Sequence, residues 1–186
     1  MADALVLLAQ GFEEIEAVTV VDVLRRAGVQ VTTAATGEKV ARGSRGIAVV
    51  ADAVLSDLEE RRYDLVYLPG GVEGMERLAS DPRVGDCLER HRASGGKLAA
   101  ICAATFALHA HDLLPERARI TSHPSVRDDL EMYDYREDRV VIDGDIITSR
   151  GPGTAMELAL VLAEMLTGPA QRAELESAML TAKSVA

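Results

Sequence analysis

Tryptophan is absent from the 186 residues, phenylalanine occurs twice, tyrosine four times, and cysteine only twice, at Cys87 and Cys102. Two cysteines cannot build a disulfide framework, so the fold must rest on its apolar core, and a reducing, cytoplasmic setting is expected. No leader of basic and apolar residues precedes the first apolar run, Ala4 to Ala9. No run approaches the ~20 apolar residues that cross a bilayer, because charges or turn residues interrupt each one. Positive charge is also short: 20 Lys and Arg face 30 Asp and Glu, a net charge of −10. That balance repels phosphate backbones and disfavours nucleic acid as a stable partner. What is abundant is aliphatic. Hydrophobic residues make up 48% of the chain, and this length predicts one compact domain over 1–186 that buries roughly 70% of its unfolded surface.

Short apolar runs alternate with amphipathic ones, the pattern of βαβ units and a mostly parallel sheet between helices. Ala4 to Ala9 lacks period-2 alternation, as a strand covered on both faces should. Glu13 to Ala27 follows as a helix stopped by Gly28, and Val29 to Ala35 is the second strand. Gly46 to Ala51 reads as a third extended segment, and Ser56 as the cap of a brief helix. Tyr63 to Leu68 is a strand ending at Pro69-Gly70-Gly71. Asp81-Pro82 starts a helix with a capping residue and a first-turn proline, and Ser94-Gly95-Gly96 ends it. Lys97 to Ile101 is a strand that runs without glycine or proline into Cys102 and a helical stretch to about His111. Arg119 to Ser122, Arg139 to Asp143 and Asp145 to Ser149 read as strands, the last two joined as a hairpin through Asp143-Gly144. Helices to Leu166 and from about Pro169 complete the chain.

Ligands of an open parallel sheet collect outside the carboxyl ends of its strands. Three segments qualify: Gly11 to Glu16, Gly70-Gly71, and Cys102. The small residues Ala99, Ala100, Ala103 and Ala104 allow a sharp strand-to-helix turn with Cys102 at its apex. Unpaired N–H groups at a helix start would stabilise a thiolate there and lower its pKa. Cys102 is therefore a candidate nucleophile, weighed against a small buried hydrophobe in an alanine-rich run. Glu13 and Glu14 read as solvated carboxylates complementing the helix dipole. Glu16 lies between Ile15 and Ala17-Val18. A carboxyl turned toward the sheet would have a raised pKa and could act as acid and base. His123, in Thr121-Ser122-His123-Pro124, is a candidate partner of the cysteine or a turn residue bonded to backbone, and no orienting carboxylate can be identified for it. Cys87 lies mid-helix and reads as structural. The N–H groups around Gly70-Gly71 could hold a developing oxyanion. No metal or nucleotide motif is present, and no cofactor is expected.

Ala4 to Glu16, Val21 to Gly28, Leu68 to Gly71, Ala99 to Ala103, Thr121 to Pro124 and Thr148 to Thr154 together resemble the Parkinsonism-associated deglycase branch of the ThiJ/PfpI superfamily, in order and over nearly the whole chain. The resemblance implies a flavodoxin-like α/β sandwich that forms a homodimer. It implies Cys102 as the reactive cysteine, Glu16 as the protonated partner of its thiolate, and the N–H groups of Gly71 and Ala103 as the anion pocket. His123 matches the family's active-site histidine and Arg45 an interface arginine, with Arg25 and Arg26 further interface candidates. Protease-like members carry histidine directly after the cysteine; Ala103 stands there, which argues against peptidase activity. Ala104-Thr105 replaces the Gly-Pro of many relatives, and Gly43 and Val50 replace the peripheral cysteines of animal members, so redox sensing would have to run through Cys102.

The resulting expectation is a thiol enzyme that acts on a small aldehyde, methylglyoxal or glyoxal, or on their adducts, as a glutathione-independent glyoxalase or deglycase. The competing expectation is an oxidative-stress sensor or redox-regulated chaperone, switched when Cys102 is oxidised to a sulfinate.

Overall fold

A computed structural model describes residues 1–58 and 61–181. The first half runs β1 (Asp3–Leu8), α1 (Glu14–Arg26), β2 (Gln30–Ala35), β3 (Val40–Arg42), β4 (Ala48–Val50), β5 (Ala53–Val54), β6 (Leu65–Leu68), α2 (Val72–Ser80) and α3 (Pro82–Ala93). The second half runs β7 (Lys97–Ile101), α4 (Thr105–Ala110), β8 (Arg119–Ile120), β9 (Asp134–Tyr135), β10 (Val140–Asp143), β11 (Ile146–Ser149), α5 (Ala155–Thr167) and α6 (Pro169–Ala178).

Seven strands form the main sheet in the order β10-β11-β7-β6-β1-β2-β5. All pairings are parallel except that of β10 with β11, the expected hairpin, in which Val140 faces Ser149 and Asp143 faces Ile146. On one side α1 packs on α5 and α5 on α6; α2 packs with α3 and α4. Two helical layers thus flank a mostly parallel sheet, a flavodoxin-like arrangement. Ala4 through Leu8 are at most 2% exposed, which explains their unbroken apolar run.

Several local expectations are corrected. Gly46 to Ala51 supplies β4, yet β4 leaves the main sheet and pairs antiparallel with β3 as a separate hairpin, Ala41 opposite Val49. Arg119 to Ser122 shortens to β8, which pairs in parallel with β9 instead of joining the main sheet. Ser56 lies inside a single 3-10 turn, Leu55–Asp57, and does not cap it. Helix α2 is not announced by the sequence, because Gly74 weakens the helical pattern. Its burial instead follows Met75 and Leu78, spaced by three, with Gly74 itself pressed on the Phe12 backbone, where a Cβ would sit 2.9 Å from Phe12 Cα.

The order in which strands are laid down reverses at β1: the chain first moves outward to β2 on one side, then returns to β6 on the other and continues to β7. Crevices open at such a reversal outside the carboxyl ends of the strands. There β1 delivers the start of α1, β6 delivers Gly70 and Gly71, and β7 delivers Cys102.

Candidate active site around Cys102

Strand β7 ends at Ile101 in extended backbone, and Cys102 then adopts φ 62° before a 3-10 turn, Cys102–Ala104, leads into α4. A left-handed conformation costs an L-residue about 1–2 kcal/mol, so the surrounding contacts must hold it. Two do so directly. The Cys102 carbonyl accepts the His123 N–H at 3.2 Å, and Thr105 Oγ1 donates to the Thr121 carbonyl at 3.1 Å. Ala103 and Ala104 are at most 1% exposed, and their small side chains suit the close meeting of strand and helix.

Glu16 enters from the first turn of α1. Glu13 caps that helix by accepting the Glu16 N–H at 2.8 Å, and the Tyr67 hydroxyl donates to the Glu16 carbonyl at 3.1 Å. The Glu16 side chain is fully buried. Its Oε2 accepts the Gly70 N–H at 2.7 Å, while Oε1 is buried without a hydrogen-bond partner. The Cys102 side chain stands beside the carboxyl across Gly70, and each perturbs the other's titration.

Burial pushes the Glu16 carboxyl up to about 7, against the opposing pull of the Gly70 N–H. Burial and the adjoining Glu16 charge push the Cys102 thiol up to about 12, while the N–H groups of Ala103 and Gly71 favour its anion. Burial thus works against the low thiol pKa that the helix start favours. Two acids this close titrate as one unit. Between about 7 and about 12 the pair carries one negative charge, shared between carboxylate and thiolate, with one proton left to donate.

Gly70 does more than supply a turn and an N–H donor. A Cβ at this position would lie 2.6 Å from Cys102 Cβ and 2.6 Å from Glu16 Oε2. Gly70→Ala is therefore expected to drive thiol and carboxyl apart and to lower the Cys102 alkylation rate at least about tenfold while circular dichroism stays native; an unchanged rate would show that the contact is not needed.

The other candidates separate. The N–H groups of Gly71, at φ 92°, and of Ala103 act on the Cys102 sulfur in favour of its anion. His123 shares the Cys102 turn through its backbone, but its ring is exposed and its Nδ1 accepts from Ser125, 3.2 Å from the Ser125 N–H and 2.8 Å from Oγ. The structure gives it no carboxylate partner, consistent with the reading as a turn residue. Arg25 pairs with Asp52 at 2.8 Å and Arg26 with Asp22 at 2.7 Å, both exposed and away from Cys102.

Glu14 departs from its reading as a solvated carboxylate. It is only 5% exposed and accepts from Arg45 N–H at 2.7 Å, Ser44 Oγ at 3.2 Å and Ile47 N–H at 3.3 Å. The loop it binds is a thin cover: burial works to raise this carboxyl, but these donors outweigh it and hold it below its ordinary range. Among the described residues no three or more His, Cys, Asp or Glu side chains cluster in a way that could hold a metal ion, and no helix is long and apolar enough to cross a membrane.

A cysteine at the left-handed apex of a flavodoxin-like sheet, facing a buried glutamate, defines a class of thiol-bearing α/β proteins. The chain belongs to the DJ-1/PfpI family, whose signature matches residues 2–165. It is 41% identical to Protein dj-1beta of Drosophila melanogaster over 182 residues, covering 96% of this chain and 97% of that protein. The crystal structure of that fly protein superposes with a TM-score of 0.94 at 40% identity, covering 98% of this chain and 99% of the other. The chain is also 39% identical over 183 residues to a Caenorhabditis elegans protein named glutathione-independent glyoxalase DJR-1.2, covering 97% of each. A structure of Toxoplasma gondii DJ-1, described as oxidized, matches with a TM-score of 0.92 at 36% identity over 98% of this chain and 100% of that one.

Proposed function

We propose that the protein converts small 2-oxoaldehydes to hydroxy acids without glutathione, through a covalent adduct on Cys102. The observation that carries this reading is the pairing of a thiol with a fully buried carboxyl that retains a proton near neutrality, beside two N–H donors. The worm relative's name points to the same chemistry.

With methylglyoxal, the Cys102 thiolate attacks the aldehyde carbon and forms a C–S bond; the Gly71 and Ala103 N–H groups hold the resulting oxyanion until Glu16 protonates it. The Glu16 carboxylate then removes the proton from the former aldehyde carbon, leaving an enediolate, and returns it to the neighbouring carbon, while the hydroxyl proton on the first carbon passes to the neighbouring oxygen. The product is a thioester of lactate: one carbon has been oxidised and its neighbour reduced, with no outside oxidant. Water, deprotonated by Glu16, cleaves the C–S bond and releases lactate and the free thiol. No step draws on a cofactor. His123 stands beside the Cys102 turn and is the candidate for assisting one proton transfer. Early methylglyoxal or glyoxal adducts would enter by the same steps as a deglycase reaction. The −10 charge disfavours bulk nucleic acid as a carrier of such adducts. Lactate counted per site, with Cys102→Ser as the blank, tests this reading.

The second reading, a sensor or redox-regulated chaperone, draws on the same donors, which would hold a Cys102 sulfinate. The structure of the Toxoplasma relative is described as oxidized. A sensor changes state once per site, so multiple turnover separates the two. Both fit a reducing, cytoplasmic setting, where the two cysteines are free.

We further propose a homodimer through α1 and the β3–β4 hairpin, where Ile15, Val18, Ile47 and Val50 are 51–68% exposed and Arg45 sits in the hairpin loop, with Arg25 and Arg26 at the far end of the helix. Sedimentation equilibrium should show a dimer that Val50→Asp dissociates; a native monomer would contradict this assignment.

A further inference from the structure

Strand β6 lies inside the main sheet, between β1 and β7, and is buried along its whole length. A strand covered on both faces is best built of aliphatic residues, and Leu65, Val66 and Leu68 conform. Tyr67 does not. Its ring is fully buried, and it carries a hydroxyl into a layer where an unpaired polar atom is costly. A buried hydrogen bond adds little net stability once desolvation is counted, so the consequence of this hydroxyl lies in what it touches.

It touches Glu16. The Tyr67 hydroxyl donates to the Glu16 carbonyl at 3.1 Å, and Gly70, just beyond the same strand, donates its N–H to Glu16 Oε2 at 2.7 Å. The Glu16 N–H is held in turn by the Glu13 carboxylate at 2.8 Å. Backbone and carboxyl of Glu16 are thus both anchored to β6 and its continuation, with the rotatable bonds of the side chain strung between the two anchors. A side chain tethered only at its tip still drifts with its helix turn; tethered at both ends it keeps one position. Burial first, and then the Glu16 and Cys102 charges, hold the phenol well above its usual range, so it remains a donor wherever Glu16 titrates.

We infer that Tyr67 is a positioning residue of the Cys102–Glu16 pair: by holding the Glu16 carbonyl against β6 it keeps the carboxyl beside the thiol and away from water. This rests on the reading of Cys102 and Glu16 as the reacting pair. Proton transfer to and from carbon depends steeply on placement, since a shift of about 1 Å can cost about 100-fold, whereas binding of a small aldehyde makes no use of this hydroxyl.

Tyr67→Phe removes the hydroxyl and keeps the ring, so circular dichroism should stay native. In lactate formation from methylglyoxal, kcat should fall about tenfold with KM within about twofold of the native value. A second readout needs no turnover: the rate of Cys102 alkylation against pH, followed by mass spectrometry so that Cys87 is counted separately. The native profile should carry an inflection near about 7, where Glu16 titrates beside the thiol. In Tyr67→Phe it should move down by at least about half a unit, in the direction of the ordinary 4.5, as the loosened carboxyl meets water. In Glu16→Gln the inflection should vanish, and adding Tyr67→Phe should then leave the profile unchanged, because the hydroxyl acts through the carboxyl. A merely structural hydroxyl would lower the melting temperature and leave kcat and the inflection in place. That result, loss of the fold in Tyr67→Phe, or an equal effect of Tyr67→Phe in the Glu16→Gln background would overturn the assignment. If the native chain forms no lactate, the aldehyde reading falls, and the alkylation profiles still decide the role of Tyr67.

Discussion

Glu16→Gln is expected to lower lactate formation from methylglyoxal by about 100- to 10,000-fold, the usual worth of a positioned acid/base group, while Cys102 remains open to alkylation. The amide keeps the shape, and its oxygen can still accept the Gly70 N–H, now 2.7 Å from Oε2. It can neither remove a carbon-bound proton nor return one. The same substitution should change how stability depends on pH. Below about 4.5 the folded and unfolded chains both hold the Glu16 proton; as pH rises toward about 7 the unfolded chain releases it and the buried carboxyl keeps it. The folded state therefore loses stability across that window, by about 3 kcal/mol in all. Glu16→Gln removes this loss, so its melting temperature should gain on the native chain between pH 5 and pH 8. Full turnover in the variant, or a melting difference that is flat with pH, would contradict the role given to Glu16.

Cys102→Ser should remove turnover by at least about three orders of magnitude, because a hydroxyl at this position lacks the nucleophilicity of a thiolate and no second base adjoins it. Serine fits the left-handed apex as cysteine does, and the Cys102 carbonyl still receives the His123 N–H, so folding should be kept. Thiol labelling makes the loss specific. Cys87 is half-buried on α3, and desolvation raises its pKa, so the variant should show one slow thiol where the native chain shows two of different rates. Retained lactate formation in this variant would move the chemistry away from the β7 apex altogether.

Much of this was legible in the residues, for reasons that differ from place to place. Ala4 to Leu8 announced a central strand because burial on both faces permits an unbroken apolar run. Cys102 stood out because only small residues surround it where strand passes into helix without punctuation. Glu16 could be separated from Glu13 and Glu14 by its apolar neighbours, and its raised pKa follows from the burial those neighbours foretold. The thiol went the other way: sequence shows the helix start that lowers a pKa but not the depth of burial that raises it. Glu14 was misread for a similar reason, since the loop donors that bury it, Ser44 to Ile47, lie about thirty residues away. Gly70 was legible as a backbone donor beside the site but not as a spacer, because a missing side chain does not say which two neighbours need the space. The β3–β4 hairpin was hidden by pairing, which an extended sequence does not declare.

The most direct test is the number of lactate molecules formed per Cys102 from methylglyoxal in buffer free of glutathione and amines, with Cys102→Ser as the blank. Many equivalents per site, abolished in the variant, are the predicted result. No lactate above the blank, with Cys102 still reacting once per site, would contradict the enzyme and leave the oxidation sensor in its place.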